Sequence, residues 1–158
     1  MRMLKLISTV ALTALAICNL AAAGDDKHYC GSTRQQALDA PFRVDSPQPG
    51  KATVYFIGTG TRMIKLAIMI DGEWIGATGR NDYLAAALNP GIHHVCAASV
   101  HTKFNHALLR LSVEADHVYY VKEDLNSAGG WAYNPPTLVL LDEDQGPEAM
   151  KHVKPAHR

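Results

Sequence analysis

The sequence predicts a mainly β fold, a single antiparallel β-sandwich of seven or eight short strands. Three observations support this prediction. Apolar residues recur with a period of two, turn sequences interrupt them at short intervals, and a chain of 158 residues has room for one domain. Short strands joined by tight turns are typical of sandwiches and partly open barrels. We expect a signal peptide at 1–23, a polar arm at 24–50, the sandwich at 51–145 and a tail at 146–158.

The N-terminal segment has the composition of a secretory signal peptide. Arg2 and Lys5 form a short basic stretch, and residues 6–20 carry no charge. Small residues follow, and we expect cleavage between Ala23 and Gly24. The chain is therefore predicted to be exported, either to the periplasm or out of the cell.

Two alternatives to cleavage stay open. Residues 15–18 resemble a bacterial lipobox, in which Cys18 would carry a lipid anchor, although Ile17 is larger than the residue such motifs place there. An uncleaved anchor is the other alternative. The uncharged run at 6–20 is shorter than the roughly 20 residues of a membrane-spanning helix. It reaches that length only if the small residues 21–24 belong to the same helix.

The charge balance gives no sign of a nucleic-acid partner. The chain has 15 Lys and Arg against 15 Asp and Glu, and loss of the signal peptide would leave a slight acidic excess. No second apolar run is long enough to span a membrane. We therefore expect no cofactor, no nucleic acid and no integral membrane span after cleavage, and a partner that is an envelope protein or a glycan.

Alternating apolar residues mark the strands of the first half of the sandwich. Val54 and Phe56 alternate with their neighbours, and residues 63–70 place isoleucine and leucine on one face. The Asp71-Gly72 pair that follows predicts a hairpin turn, because both residues of such a turn need positive φ. The alanine-rich run at 83–88 is ambiguous between a strand and a helix.

The second half continues in the same way. Residues 92–100 have the pattern of a strand after a Pro-Gly turn. The segments 106–114 and 117–125 are expected to pair as a hairpin through Asp116, since aspartate tolerates the left-handed conformation. A last strand at 137–142 and a short C-terminal helix or loose tail complete the chain.

Two cysteines remain after signal cleavage, Cys30 and Cys96. In an oxidising compartment the simplest expectation is a disulfide between them. Closing so long a loop contributes about 4 kcal/mol on the chain-entropy description. The bond would tie the polar arm to the strand face that bears His94.

Several turn, aromatic and histidine residues follow one another in a distinctive order. They are Asp71-Gly72, Gly76, Tyr83, Pro90-Gly91, His93 and Tyr119-Tyr120. This order resembles the bacterial family called domain of unknown function 2846, over about residues 50–145, and is distantly similar to small β-sandwich modules named for a Pro-Glu-Gly-Ala motif. The chain departs from the family pattern at Asp116, where a glycine is usual.

The resemblance implies a secreted or envelope-anchored β-sandwich, often a lipoprotein, without an established activity. It provides no catalytic residues to transfer to this chain. The shared residues are of the structural kind, namely turn glycines, a turn proline and buried tyrosines. The resemblance therefore supports the predicted fold and leaves the function open.

Histidines and a cysteine on one strand raise the question of a metal site. In an extended strand His94 and Cys96 point to one face and His93 to the other. A zinc or copper site would need the first two together with partners such as His101 or His106. A disulfide at Cys96 would remove its thiolate, so we expect no metal site and keep these four as the candidate ligands of an alternative function.

No catalytic set is evident in the sequence. Ser99 and His101 share a strand face but have no obvious third member. The carboxylates of Glu123-Asp124 and of residues 142–144 lie at strand ends and are interpreted as solvated loop charge, and the spacing of the second cluster does not fit a calcium loop. We therefore expect no enzymatic activity.

Trp131 and Tyr133 lie in a loop rich in glycine and proline. They could present aromatic rings to a sugar or a protein partner, or they could cap the open end of the sandwich. We therefore predict an exported bacterial envelope protein that acts as a non-catalytic binding or structural module. The alternative is a periplasmic metal-binding protein or an enzyme that uses surface histidines.

Overall fold

A computed structural model describes residues 39–59, 64–99, 106–125 and 135–157 of the chain. Within these ranges the protein is mainly β, with two sheets and one short helix, as the sequence predicts. The strands are β1 (Ala52–Thr59), β2 (Leu66–Ile70), β3 (Glu73–Thr78), β4 (Arg80–Leu88), β5 (Gly91–Ser99), β6 (His106–Val113), β7 (Val118–Leu125), β8 (Pro136–Leu141) and β9 (Lys154–Pro155), and the helix is α1 (Gln145–Met150).

The strands form a five-stranded sheet in the order β8-β7-β1-β4-β9 and a four-stranded sheet in the order β3-β2-β5-β6. The four-stranded sheet is wholly antiparallel, as predicted, whereas the five-stranded sheet is mixed, which corrects the prediction of a fully antiparallel sandwich. Strand β1 runs parallel to β7, and β4 runs parallel to β9. Parallel pairing of β1 with β7 is available because the chain visits the other sheet between these two strands.

The expected hairpin of β6 with β7 is wrong, although the turn itself is present. Asp116 has φ 61°, as predicted for the residue between these strands. Strand β6, however, pairs with β5 in the four-stranded sheet, whereas β7 pairs with β1 and β8 in the other. The turn therefore carries the chain from one sheet to the other. The Asp116 carboxylate fixes it by accepting a hydrogen bond from Gly50 N at 2.7 Å.

The hairpin predicted at Asp71-Gly72 is confirmed. Asp71 has φ 49° and Gly72 has φ 89°, and the flanking strands β2 and β3 pair antiparallel. The ambiguous alanine-rich run is also a strand, β4, which pairs with β1 from Ala52↔Leu88 to Ile57↔Tyr83. Hydrogen bonding to a neighbouring strand along its length decides this segment, since its alanines favour a helix locally.

The core lies between the two sheets and is built from alternate residues of their inner faces. Each large aliphatic or aromatic side chain buried there stabilises the fold by roughly 1.5–3 kcal/mol relative to an exposed position. Its largest fully buried apolar members include Phe56, Ile68, Ile75, Leu84, Val95, Leu111 and Val121.

The arm before β1 and the segment after α1 both cover the outer edge of β4. Ala85 N donates to Arg43 O at 3.0 Å, and Asp45 N donates to Ala85 O at 3.0 Å. Farther along the same edge, Ala156 N donates to Tyr83 O at 2.8 Å. The described part of the predicted linker and tail is therefore packed against the sandwich.

The predicted C-terminal helix is confirmed as α1, which lies against the outer face of the five-stranded sheet. Gly146 of this helix is buried against the ring of Tyr120, so closely that a Cβ atom there would come within 2.1 Å of Tyr120 Cδ2. In the described ranges no helix has the length and apolar character needed to cross a membrane.

Candidate functional site

His93 is held by two hydrogen bonds at one end of the sandwich. Its Nδ1 lies 2.6 Å from Asp71 Oδ2, and its Nε2 lies 2.8 Å from Asn89 O. The second carboxylate oxygen of Asp71 accepts from His94 N at 2.8 Å. The imidazole therefore joins the β2–β3 turn to the β4–β5 turn, and both of its nitrogens are engaged.

The hydrogen bonds of His93 favour its charged form. A carbonyl and a carboxylate both accept, so both ring nitrogens are used fully when each carries a proton. Burial lowers the pKa of His93, but the hydrogen bonds that the ring donates to Asn89 O and to Asp71, together with the charge of Asp71, outweigh this effect and raise the pKa above its usual value. His93 therefore holds the two turns together through both of its ring nitrogens.

Among the candidate metal ligands that the structure describes, His106 lies apart from His94. His94 and Cys96 belong to β5, where they pair with Arg110 and Leu108 respectively. His106 pairs with Ala98, four residues farther along β5 and so about 13 Å from His94. No group of three or more His, Cys, Asp or Glu side chains that could hold a metal ion occurs in the described ranges.

Several predicted site residues lie outside the described residues. They are Cys18, Ala23, Gly24, Cys30, His101, Trp131 and Tyr133. Cys96 itself is 1% exposed on β5. The Cys30–Cys96 disulfide, the metal role of His101, the signal cleavage site and the aromatic binding surface therefore stay predictions.

Glu123 contradicts the expectation of solvated charge at the end of its strand. Its relative exposure is 0%, and it lies on β7 between Gly58 of β1 and Leu138 of β8. Because Val121 and Glu123 lie on the same face of the strand, the alternation of apolar residues places this carboxyl group on the inner face. The two-residue spacing from Val121 indicates that Glu123 lies on the inner face, but the charge of Glu123 favoured the interpretation as a solvated residue.

The Glu123 carboxyl group joins the two sheets. Thr78 Oγ1, on β3 of the four-stranded sheet, donates to Glu123 Oε2 and also lies 3.5 Å from Leu66 O. Glu123 Oε1 is buried and has no hydrogen-bond partner among the described residues. Burial raises the pKa of Glu123 to about 8, although the hydrogen bond from Thr78 opposes this change. The raised pKa therefore favours the neutral acid at pH 7.

Three tyrosines form a cluster on the outer face of the five-stranded sheet. The rings of Tyr55 and Tyr120 stack at 5.5 Å, and Tyr83 meets Tyr55 edge-on at 5.7 Å. Burial, followed by the neighbouring Tyr120 and Tyr83, raises the pKa of Tyr55. Because Gly146 lies directly on Tyr120, the cluster serves as the platform on which α1 packs.

Strand β8 forms an edge of the five-stranded sheet and is apolar on both faces. Its sequence is PTLVLL, without a charged residue, and Val139 and Leu140 are 46% and 48% exposed. Val139 lies on the outer face opposite Lys122, and Leu140 lies on the inner face opposite Val121. Charged residues and prolines usually protect the edge of a sheet from pairing with another strand. Strand β8 has a proline at its start but no charged residue.

The other three sheet edges differ from β8. At the far edge of the same sheet, β9 has only two residues, and the N-terminal arm lies beside it along β4. Strand β3 contains a bulge and receives a hydrogen bond from Arg43 N at Ile75 O. Strand β6 carries the exposed side chains of His106 and Arg110. Within the described residues, β8 is thus the edge best suited to pair with another strand.

Comparison with known protein families and with curated proteins finds no match to this chain. The resemblance to the domain of unknown function 2846 family therefore stays a prediction.

Proposed function

We propose that the protein is an exported, non-catalytic module of the bacterial envelope that binds a protein partner by strand addition at β8. The observation that carries this proposal is the uncharged edge of β8, with Val139 and Leu140 about half exposed on its two faces. An added strand would satisfy the free backbone groups of the edge, and pockets beside these side chains would provide specificity.

The two most unusual ionisable groups of the described chain support a non-catalytic role. Glu123 is fully buried, out of reach of a substrate in solution. His93 uses both ring nitrogens in hydrogen bonds to Asp71 and Asn89. A general acid or base must reach the proton that it transfers, and neither group is placed to do so. Both are instead built into the contacts that hold strands and turns together.

The location of the module is proposed from the sequence. Cleavage between Ala23 and Gly24 would release it to the periplasm or the exterior, and lipidation of Cys18 would anchor it to a membrane. In either place the Cys30–Cys96 disulfide would join the N-terminal arm to the four-stranded sheet. The resemblance to the domain of unknown function 2846 family agrees with such an envelope module.

The test is site-specific photocross-linking in intact cells that express the full chain. A photoreactive amino acid at Val139 is expected to give a discrete protein adduct. The matched control is the same amino acid at Ile92, which is 50% exposed on β5 of the other sheet. No adduct at Val139, or the same adducts at both positions, would contradict the proposal. A second variant carries the photoreactive amino acid at Leu140. Loss of its discrete adduct when V139K is added would support the proposal.

A further inference from the structure

We propose that the strand added at β8 is β8 of a second copy of this chain, paired antiparallel about a two-fold axis at Val139. This inference rests on the proposed function, since it identifies the partner of the same edge. The dimer would join the two five-stranded sheets into one continuous sheet of ten strands.

The face alternation of β8 fixes where the two-fold axis can lie. In a continuous sheet, residues directly opposite each other must point to the same face, so the axis passes between two copies of one residue. An axis at Val139 places it against its own counterpart and pairs Leu138 with Leu140 of the second copy. Thr137 then faces Leu141. Every directly opposed pair from residue 137 to residue 141 is therefore uncharged.

The charges next to β8 also permit a second copy to approach. Lys122 and Asp124 lie on β7 opposite Val139 and Thr137, on the outer face. Their Nζ and Oδ2 atoms are 3.9 Å apart, so the two charges are neutralised within one subunit. Copies of a charged edge would repel each other across a two-fold axis, whereas β8 itself carries no charge. The carboxylates of residues 142–144 follow the strand, and the proposed register places Asp142 opposite Pro136 of the second copy rather than opposite another charge.

The ends of the described chain leave the β8 edge open. The described part of the arm, from Asp39 onward, runs past β3 and β4, and the described part of the tail, as far as His157, includes β9. Strand β4 lies three strands from β8 in the sheet order, a distance of about 14 Å. Among the described residues, the covering segments therefore lie at the opposite edge of the sheet, and β7 is the one strand that pairs with β8.

Self-complementarity favours a second copy over a foreign strand. A two-fold interface uses the same surface twice, so every favourable contact of Val139 or Leu140 occurs in both subunits. Pairing would remove these two apolar side chains from water on each copy, one on each face of the sheet. The same edge in a monomer would be open to uncontrolled pairing.

Cysteine cross-linking of the full exported chain tests the geometry. Directly opposite residues of an antiparallel pair have Cα atoms about 4.5–5.5 Å apart, within the range that a disulfide spans. V139C is expected to form a covalent dimer on mild oxidation, in most of the protein. V118C, at a residue 49% exposed at the start of β7, is the matched control and is expected to stay below a tenth of that yield.

Sedimentation analysis of the purified protein completes the test. The wild type is expected at twice the monomer mass, V139K at the monomer mass with an unchanged far-UV circular dichroism spectrum, and I92K at the dimer mass. A wild type that stays monomeric while V139K abolishes a cross-link to another protein would overturn the second-copy inference and keep the proposed function. If V139K changes neither self-association nor cross-linking, both are wrong.

Discussion

Replacing Glu123 with glutamine is expected to reverse its effect on stability between acid and alkaline pH. The carboxyl group is fully buried and its pKa is raised from 4.5 to about 8. Glutamine has nearly the same shape, can hydrogen bond to Thr78 through its amide group, and does not ionise. The variant therefore removes the titration while it keeps the contact between the two sheets.

The direction in which stability changes with pH follows from the proton that Glu123 keeps in the folded state. Below pH 4.5 the carboxyl is protonated in both states, and Glu123 makes no pH-dependent contribution. Between pH 4.5 and about 8 the unfolded chain releases the proton and the folded chain retains it, so stability falls as pH rises. At 1.36 kcal/mol per pH unit, the cost is about 3 kcal/mol at pH 7 and roughly 5 kcal/mol above pH 8.

The glutamine variant should show the complementary behaviour. At pH 4.5 it is expected to be about 1 kcal/mol less stable than the wild type, because its second amide N–H group adds a buried donor. At pH 9 it should be more stable by roughly 3–4 kcal/mol, since no charge is formed in the core. The two stability curves should therefore cross between these pH values.

Urea unfolding at several pH values measures these differences through the midpoint and the slope. The matched control is E114Q, because Glu114 is exposed and should change the curve little. His93 also loses stabilising energy in this range, but it is present in both proteins and cancels in the comparison. A difference between wild type and E123Q that stays constant within about 1 kcal/mol from pH 4.5 to pH 9 would refute the reasoning.

Three further predictions concern other contacts. D71N should lower the pKa of His93, measured by NMR titration, and should cost about 1 kcal/mol below pH 6.5, because the stabilising energy is present there and is lost as pH rises through the raised pKa of the folded state. G146A should destabilise the fold by about 1–3 kcal/mol in thermal melts, since its methyl group would overlap a tyrosine ring. Mass spectrometry without reductant should find Cys30 joined to Cys96, and C30A should cost about 4 kcal/mol.

Two of these predictions have a control variant, and two have a contrary outcome. N89A keeps the backbone carbonyl that His93 contacts, so the pKa of His93 should change less than in D71N. Q145A lies in the same helix at an exposed position and should melt like the wild type, whereas an unchanged melting temperature for G146A would argue against close packing of α1. A free thiol at Cys96 in protein isolated without reductant would exclude the disulfide.

Local chemistry determined much of the secondary structure in advance. The Asp71-Gly72 hairpin was predictable because few residue pairs accept positive φ at both positions, and the structure has φ values of 49° and 89° there. The period-two alternation around Phe56 identified β1, and the segment after residue 144 formed the predicted helix. These features depend on residues close together in the sequence, so a local pattern is sufficient to predict them.

The tertiary structure decided which strands are neighbours and which charges are buried. The turn at Asp116 has the predicted conformation, yet it links two sheets, because β7 pairs with the distant strand β1 rather than with β6. Glu123 looks like a solvated charge until β3 places Thr78 beside it. The exposure of β8 likewise depends on the absence of a neighbour beyond it in the described sheet. Pairing between distant segments sets all three features, and its energy is not encoded in any short stretch of sequence.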